Sequence, residues 1–196
     1  MATSRENKTI SQFKSALIGG GARPNLFEVE LPNFPGDISW NADNFRFMCK
    51  AAQMPAQTIA SIDVPFRGRT FKVAGDRTID TWTVTVINDE GFILRNAFEQ
   101  WSELIAKLDN NLGATDPSAY MVNAKVFQLG RGSVASSQDN SGESNVVLKE
   151  YEFIDIFPTE VSAIDLSYDS TDTIEEFTVT FQVQSFSVAG AGSPNG

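Results

Sequence analysis

The sequence predicts a mainly β protein in which two antiparallel sheets pack on each other and one α-helix flanks them. Several segments alternate polar and apolar residues with a period of two, as strands with one buried face do. A single long segment, about residues 91–108, instead repeats its apolar residues at three- and four-residue steps. Short turns rather than helical crossovers join the segments, which indicates antiparallel pairing and a sandwich or barrel.

The strand predictions rest on this alternation. Between 81 and 87, Trp82, Val84 and Val86 alternate with threonines, which suit the solvated face of a sheet. Residues 174–188 repeat the pattern with phenylalanine and valine. Further strands are predicted over 25–31, 57–66, 70–73, 120–129, 146–157 and 161–168.

Residues 45–73 predict one long, irregular hairpin. Apolar residues alternate from 45 toward Cys49, and again from Gln57 to Phe66. Arg67-Gly68-Arg69 fits a tight turn between two strands. Because the phenylalanines of this region keep the strand period, we expect them in the core rather than on a platform for single-stranded nucleic acid. They are Phe45, Phe47, Phe66 and Phe71.

One substantial helix is predicted from about Gly91 to Leu108. Asn88 or Asp89 is expected to cap it, because their side-chain oxygens can accept hydrogen bonds from the free N–H groups of a first turn. A shorter helix is predicted from Thr9 or Ser11 to the glycines at 19–21. The apolar stripe of the long helix is expected to comprise Leu94, Phe98, Trp101, Leu104, Ile105 and Leu108.

Glycine, proline and small polar residues mark the loops and the domain limits. Residues 31–44 contain two prolines and a Pro-Gly turn, and 130–145 are rich in Gly, Ser, Gln and Asn, so both are predicted as loops, the second exposed and mobile. The expected organisation has three parts. They are an N-terminal extension with a short helix (1–21), a single β domain (22–188) and a flexible C-terminal tail (189–196).

The composition argues against catalysis. The chain has no histidine and one cysteine, Cys49, which removes the usual metal ligand, the usual general base and any internal disulfide. Cys49 is expected to be a buried apolar side chain. The acidic residues at 76, 80, 89 and 90 lack the spacing of a calcium loop, so Asp76 is interpreted as a turn residue and Asp89 as a helix cap. We therefore predict no enzyme activity, no catalytic or metal-binding residue and no cofactor.

Charge is distributed unevenly along the chain. Its formal net charge is −10, which argues against non-specific binding to nucleic acid. From Arg46 to Arg77 there are six basic residues and two acidic ones, whereas from Asp139 to the end there are eleven acidic residues and one basic. Oppositely charged surfaces of two copies can therefore attract each other.

The N-terminal sequence MATSRENKTI lacks the apolar region of a secretory signal. No segment approaches the ~18 consecutive apolar residues that cross a bilayer. We therefore expect no membrane anchor and residence in the cytoplasm where the chain is made.

Several motifs together resemble the tail tube proteins of contractile-tailed (myovirus-type) bacteriophages. The most specific is VAGDRTIDTWTVTVINDE, residues 73–90. The resemblance covers about residues 22–186 in the same order. The other matching segments are 22–30, 47–51, 54–56, 158–161, and Leu166, Asp169, Ser170, Ile174, Phe177, Val179 and Thr180.

The resemblance implies a phage tail-tube-like fold and a structural function in the virion. It implies hexameric rings that stack head to tail into a hollow tube, with inner strands of neighbouring subunits joined in a β-barrel. It also implies a surrounding sheath, baseplate and tail terminator partners, and passage of phage DNA through the lumen without sequence-specific binding. Assembly would take place in the host cytoplasm.

The basic segment is the candidate ring-stacking interface, expected to meet an acidic surface from 139–176 on the next ring. Its residues are Arg46, Lys50, Arg67, Arg69, Lys72, Asp76 and Arg77. Two alternatives stay open at this point. One is the tube of a related contractile injection system, such as a secretion system or tailocin. The other is a monomeric β-sandwich binding module, for carbohydrate for instance, with Trp40 as the isolated aromatic candidate.

Overall fold

Nine strands, three α-helices and a 3-10 helix make up the regular structure of residues 9–17, 21–133 and 145–190, the parts of the chain that the computed structural model describes. The helices are α1 (Ile10–Ala16), α2 (Ala42–Met48), α3 (Ile93–Ile105) and the 3-10 helix Pro117–Ala119. The strands are β1 (Phe27–Glu30), β2 (Cys49–Ala52), β3 (Gln57–Phe66), β4 (Arg69–Ile79), β5 (Trp82–Ile87), β6 (Val122–Ser133), β7 (Asn145–Val161), β8 (Glu176–Gln182) and β9 (Ser185–Gly190).

The main sheet contains seven strands in the order β1–β6–β7–β8–β5–β2, with β9 also paired to β7. The long strand β7 belongs to two sheet halves. Its first part pairs with β6 and β9, and its last part pairs with β8. We call β1, β6, β9 and the first part of β7 sheet A, and β2, β5, β8 and the last part of β7 sheet B. The two antiparallel halves confirm the predicted fold class.

A β-bulge lies where β7 passes from sheet A to sheet B. Phe153 pairs with Ala124 and Ile156 with Val122, so β7 uses one residue more than β6 over this interval. Asp155 lies within the bulge with a φ of 55°, a conformation that aspartate tolerates better than most residues. Its backbone N–H donates to Asn123 Oδ1 at 3.1 Å. Bulges of this kind bend a strand and increase its twist.

Aromatic side chains join the two sheet halves and α3 into one core. Trp82 of β5 stacks on Phe153 of β7 with ring centroids 4.4 Å apart, and its indole N–H donates to the Gln53 carbonyl. Phe98 of α3 is fully buried. Its ring contacts those of Phe34, Trp40, Phe45, Trp101, Phe177 and Phe181.

The predicted long helix is confirmed over Ile93–Ile105, with one exception in the apolar stripe, but its N-cap residue is Phe92, which makes no side-chain cap hydrogen bond. Asp89 accepts a hydrogen bond from the Ile93 N–H, whereas the Asn88 side chain donates to Glu175. Leu94, Phe98 and Trp101 are buried. Leu108 was expected on the same stripe, but it is 93% exposed because the helix ends at Ile105 and the chain then becomes extended.

The strand predicted from residue 45 to Cys49 is wrong, because α2 occupies most of it. The Asn41 side chain accepts a hydrogen bond from the Asn44 N–H and so begins the helix. A helix turns about 200° over two residues, so residues that share a strand face separate. Phe45 is therefore buried and Phe47 is 81% exposed.

The segment between β1 and α2 folds onto the core. Trp40 stacks on Phe34 with centroids 4.1 Å apart and donates to the Leu31 carbonyl at 2.7 Å. The half-buried Trp40 is thus part of the packing and does not present the open aromatic surface that a carbohydrate-binding module uses. The predicted loop at 31–44 also ends earlier, because Ala42 already belongs to α2.

Other boundaries also differ from the predictions, and β4, for instance, continues to Ile79 instead of ending at residue 73. The strand expected at 161–168 is wrong, since β7 continues to Val161 and residues 162–175 form no strand. The segment 174–188 divides into β8 and β9, and β9 extends to Gly190. Residues 130–133 belong to β6 rather than to a loop. The remainder of the predicted mobile loop, 134–144, and Gly19 and Gly20 lie outside the described residues.

Replacing Phe98 with alanine is expected to lower the free energy of unfolding by about 3–5 kcal/mol, because a fully buried ring leaves a cavity among six aromatic neighbours. Urea unfolding followed by tryptophan fluorescence measures the change. Gln100→Ala on the exposed face of α3 is the matched control and should change it by less than about 0.5 kcal/mol. Equal losses in the two variants would contradict this account of the core.

Cys49 is expected to be unreactive in the folded protein, because burial raises the pKa of its thiol from 9.0 to about 12. The unfolded chain loses this proton above about pH 9 while the folded chain keeps it. The thiol therefore contributes a fall in the free energy of unfolding between about pH 9 and pH 12. Labelling with a thiol reagent at pH 8 should be slow in buffer and fast in urea. Rapid labelling of the folded protein would show that Cys49 is accessible.

Candidate assembly surfaces

Strands β3 and β4 form a separate two-stranded sheet, paired with no other described strand. Phe66 pairs with Arg69 across a two-residue loop. Arg67 and Gly68 both have positive φ, 46° and 78°, as a type I′ turn requires. The predicted tight turn is therefore confirmed, and β3 and β4 make one hairpin, called the arm below.

One face of the arm's outer part is apolar and uncovered. Ile62 pairs with Val73 and Val64 with Phe71, so their side chains lie on one face together with Phe66. These five side chains are between 42% and 66% exposed. The opposite face carries small and polar side chains. They are Ser61, Asp63, Pro65, Thr70, Lys72 and Ala74.

The expectation that the phenylalanines of this region lie in the core is wrong for Phe66 and Phe71, as it is for Phe47. Both arm residues keep the predicted strand period and both are 66% exposed. The alternation correctly identified an apolar face. It could not show that the arm extends away from the core of its own chain.

A bulge interrupts the arm at Gly75 and Asp76, which together lie opposite Ala60. A Cβ atom on Gly75 would lie 3.1 Å from the Ala60 carbonyl oxygen and 3.2 Å from Ile62 Cγ1. Glycine therefore allows the close approach of the two strands there. Asp76 was interpreted as a turn residue, which is wrong, because it lies within β4.

Five of the seven predicted interface residues belong to the arm. Arg67 lies at the turn, with its guanidinium carbon 5.4 Å from the centre of the Phe66 ring. Lys72 Nζ lies 3.0 Å from Asp63 Oδ1, but both side chains are more than half exposed, so this ion pair stabilises little. The remaining three are Arg69, Asp76 and Arg77.

Arg46 and Lys50 are placed differently, on elements of the main sheet. Arg46 of α2 pairs with the β1 carboxylates Glu28, at 2.9 Å, and Glu30. Lys50 of β2 pairs with Glu176 of β8 at 2.5 Å. The structure thus divides the predicted basic surface into an arm and two cations that already have carboxylate partners.

The segment 162–175, between β7 and β8, is a largely exposed surface whose negative charge is opposite to the positive net charge of the arm. It contains Asp165, Asp169, Asp172 and Glu175 and no basic residue. Its large apolar side chains are also open to solvent, with Leu166 80% and Ile174 71% exposed. We call this segment the acidic loop. Its exposed apolar residues were missed, because a strand at 161–168 was expected to bury part of them.

The outer face of sheet A carries a second group of carboxylates. Strand pairing places Glu30, Lys125 and Glu152 in one row, and Glu28 and Glu150 in the next. Lys125 Nζ lies 2.8 Å from Glu150 Oε1, and this hydrogen bond raises the pKa of Lys125. Four carboxylates therefore lie on this face beside Lys125, and two of them, Glu28 and Glu30, also pair with Arg46. Alternation along β1 and β7 with buried Val29 and Phe153 could have predicted them.

Clusters of metal-ligating side chains and membrane-spanning helices are both absent from the described residues. Within it, no group of three or more cysteine, aspartate or glutamate side chains is placed to hold a metal ion. None of the helices in the same residues is long and apolar enough to cross a membrane.

Comparisons with known proteins agree with the resemblance seen in the sequence. The phage tail tube protein family matches residues 22–189. Tail tube protein gp19 of Enterobacteria phage T4 is 39% identical over 162 residues, which are 83% of this chain and 88% of that protein.

Solved structures share the fold at much lower identity. A sheath–tube complex of an extracellular contractile injection system contains a chain with a TM-score of 0.58 and 12% identity, over 94% of this chain and 100% of that one. The tube-terminating cap of the anti-feeding prophage contains another, with a TM-score of 0.58 and 16% identity, over 87% and 92%. The family match and the phage relative decide the assignment: this chain belongs to the phage tail tube protein family.

Proposed function

We propose that the chain is the structural subunit of the tail tube of a contractile-tailed phage, with hexameric rings that stack head to tail around a lumen for DNA. The observation that carries the assembly is the uncovered apolar face of the arm. An isolated two-stranded hairpin is marginally stable in water, and three or more strands or a packing partner are needed to stabilise it. A neighbouring subunit supplies that partner.

The contact between rings is the arm of one subunit against the acidic loop of a subunit in the next ring. The arm, β3 and β4 with their turn, has four basic and two acidic residues, whereas the acidic loop has only acidic ones. Both surfaces also expose large apolar side chains. Because the two surfaces differ, the contact is heterologous, and repeating it produces an open stack of rings.

Sheet A is the half that faces the lumen. Its outer face carries Glu28, Glu30, Glu150 and Glu152 against the two cations Arg46 and Lys125, so it keeps an acidic excess that the tube would repeat around its axis. A ring of six subunits has a formal charge of six times −10, or −60. A wall of like charge repels phosphates, so DNA can pass without binding. Edge strand β1, which pairs only with β6 among the described strands, offers backbone groups to the next subunit of the ring.

The expected partners are other copies of the chain, the tail sheath, the baseplate and the tail terminator. The chain would assemble in the host cytoplasm and remain in the virion as a structural rather than catalytic protein. A tube of a non-phage injection system is the weaker alternative. The 39% identity to a phage protein exceeds the 12% and 16% identities to the injection-system chains.

Reversing the charge of the arm with Arg67→Glu, Arg69→Glu and Lys72→Glu is expected to abolish or strongly reduce tube formation. The arm would then repel the acidic loop. Negative-stain microscopy and sedimentation at several salt concentrations measure assembly. Reversing Asp165, Asp169 and Asp172 to lysine in the same chain should restore it.

The matched control for this charge change reverses three exposed basic residues elsewhere, with Arg23→Glu, Lys107→Glu and Arg131→Glu. It alters the net charge equally and should leave assembly less affected. If the arm variant formed tubes as well as the unmodified chain at every salt concentration, the charge-pairing proposal would fail.

Replacing Phe66 and Phe71 with serine is expected to weaken assembly while leaving the folded monomer almost unchanged. Both rings are largely exposed in the single chain, so their removal opens no cavity. Burying an aromatic side chain at a contact contributes on the order of 1.5–3 kcal/mol, so each loss should raise the critical concentration for assembly roughly tenfold or more.

The matched control variant is Pro65→Ser with Thr70→Ser, which changes a residue pair on the opposite face of the arm. Circular dichroism melting of all variants confirms that the body remains folded. An unchanged critical concentration for the phenylalanine variant would mean that this face stays open in the tube.

A further inference from the structure

Helix α1 has an apolar stripe that none of the described residues of its own chain covers. A capping box begins the helix, with Gln12 N–H donating to Thr9 Oγ1 and Thr9 N–H donating to Gln12 Oε1. Ile10, Phe13 and Leu17 lie within about 60° of each other around the helix axis. Phe13 is 66% exposed, and no residue of α1 is buried. Such spacing is typical of a helix that lies in a groove.

A groove with both apolar and acidic lining residues lies between α3 and the end of β7. Its volume is about 610 Å³. Ala106, Leu108 and Val161 provide its apolar surface, and Glu99, Glu103 and Glu160 its negative charge. The one lining cation, Arg95, is engaged by Glu99 and by the Ser162 carbonyl. Leu108, which was predicted to be buried but is exposed, is one of these lining residues.

We propose that α1 of one subunit binds in the α3 groove of a neighbouring subunit. The proposal rests on the proposed tube, which keeps neighbouring copies side by side. The apolar stripe would cover Leu108 and Val161, and Lys14, about 40° from Ile10 on the helix surface, would face the groove carboxylates. The opposite face of α1 carries Ser11, Gln12 and Ser15 and remains in solvent.

Three observations favour a second copy of the chain as the occupant. The charges are complementary, since residues 1–17 contain Arg5, Lys8 and Lys14 against Glu6 alone. The described residues of every copy supply both this helix and this groove. Within a single chain the two do not meet, because all residues of α1 and Leu108 stay exposed. The family match begins at residue 22, so α1 adds a contact outside the matched region.

Disulfide cross-linking in assembled tubes tests this pairing. Phe13→Cys and Leu108→Cys are introduced into separate chains, which are mixed, assembled and oxidised. A disulfide-linked dimer on a non-reducing gel is expected, and a chain with both substitutions should give a ladder of larger products. The buried Cys49 has a raised thiol pKa and serves as an unreactive internal control.

The matched control replaces Ser11, on the polar face of α1, by cysteine and mixes it with the Leu108→Cys chain. It should cross-link several-fold less. Lys14→Glu should lower the yield of the Phe13–Leu108 pair, and Glu160→Lys in the partner chain should restore it.

The possible outcomes separate this inference from the proposed function. Tubes in negative stain without dimers, equal yields from the Ser11 control, or a doubly substituted chain that cross-links only within itself would each overturn the α1 contact and leave the tube in place. Unmodified chains that form neither rings nor tubes with any template would overturn the tube, and the α1 contact with it.

Discussion

The uncovered apolar face of the arm is the constraint from which the proposed assembly follows. A two-stranded sheet has only two faces, and the residues that the structure describes cover neither face of the arm's outer part. Covering the five partly exposed aliphatic and aromatic side chains would contribute roughly 5 kcal/mol of stabilisation. A single subunit does not gain this stabilisation. Patches of this kind on soluble proteins mark sites of interaction. The arm therefore acquires its full stability only when another molecule covers it, and in a repeating polymer another copy is always available.

The rest of the fold allows the arm to remain open without destabilising the subunit. The bulge at Asp155 carries β7 from sheet A into sheet B, and Trp82 and Phe98 then fill the space between the halves and α3. This core contains no side chain from the outer part of the arm. Substitutions on the arm and substitutions in the core should therefore act on different equilibria, one between subunits and one within the subunit.

Much of the fold could be predicted from periodicity, and the errors have physical causes. Alternation at 81–87 identified the core strand β5, and the three- and four-residue steps identified α3, because each buries one face of a regular element. The segment containing Phe45 and Phe47 was wrongly predicted as a strand, because two phenylalanines two residues apart fit the strand period. The hydrogen bond that the Asn41 side chain accepts at the start of α2 instead favours a helix. The prediction that Phe66 and Phe71 lie in the core failed for a different reason. The strand period was correct, but a sequence pattern shows only that a strand has an apolar face. It does not show whether the same chain or another molecule covers that face. The exposed side chains of the acidic loop were missed for another reason, because a strand at 161–168 was expected to bury part of them.

Electrostatics explains why the charge is concentrated in an arm rather than spread over the surface. Copies with a net charge of −10 repel each other, so uniform surfaces would oppose assembly. The arm has four basic and two acidic residues, a net charge of +2, which leaves −12 for the remainder of the chain. In the proposed tube, electrostatic attraction between rings is then strongest in the orientation in which an arm meets an acidic surface. The same acidic excess is available for the lumen. In the proposed tube, one uneven distribution of charge would both select the direction of stacking and keep the channel free of bound DNA, and added salt would weaken both effects together.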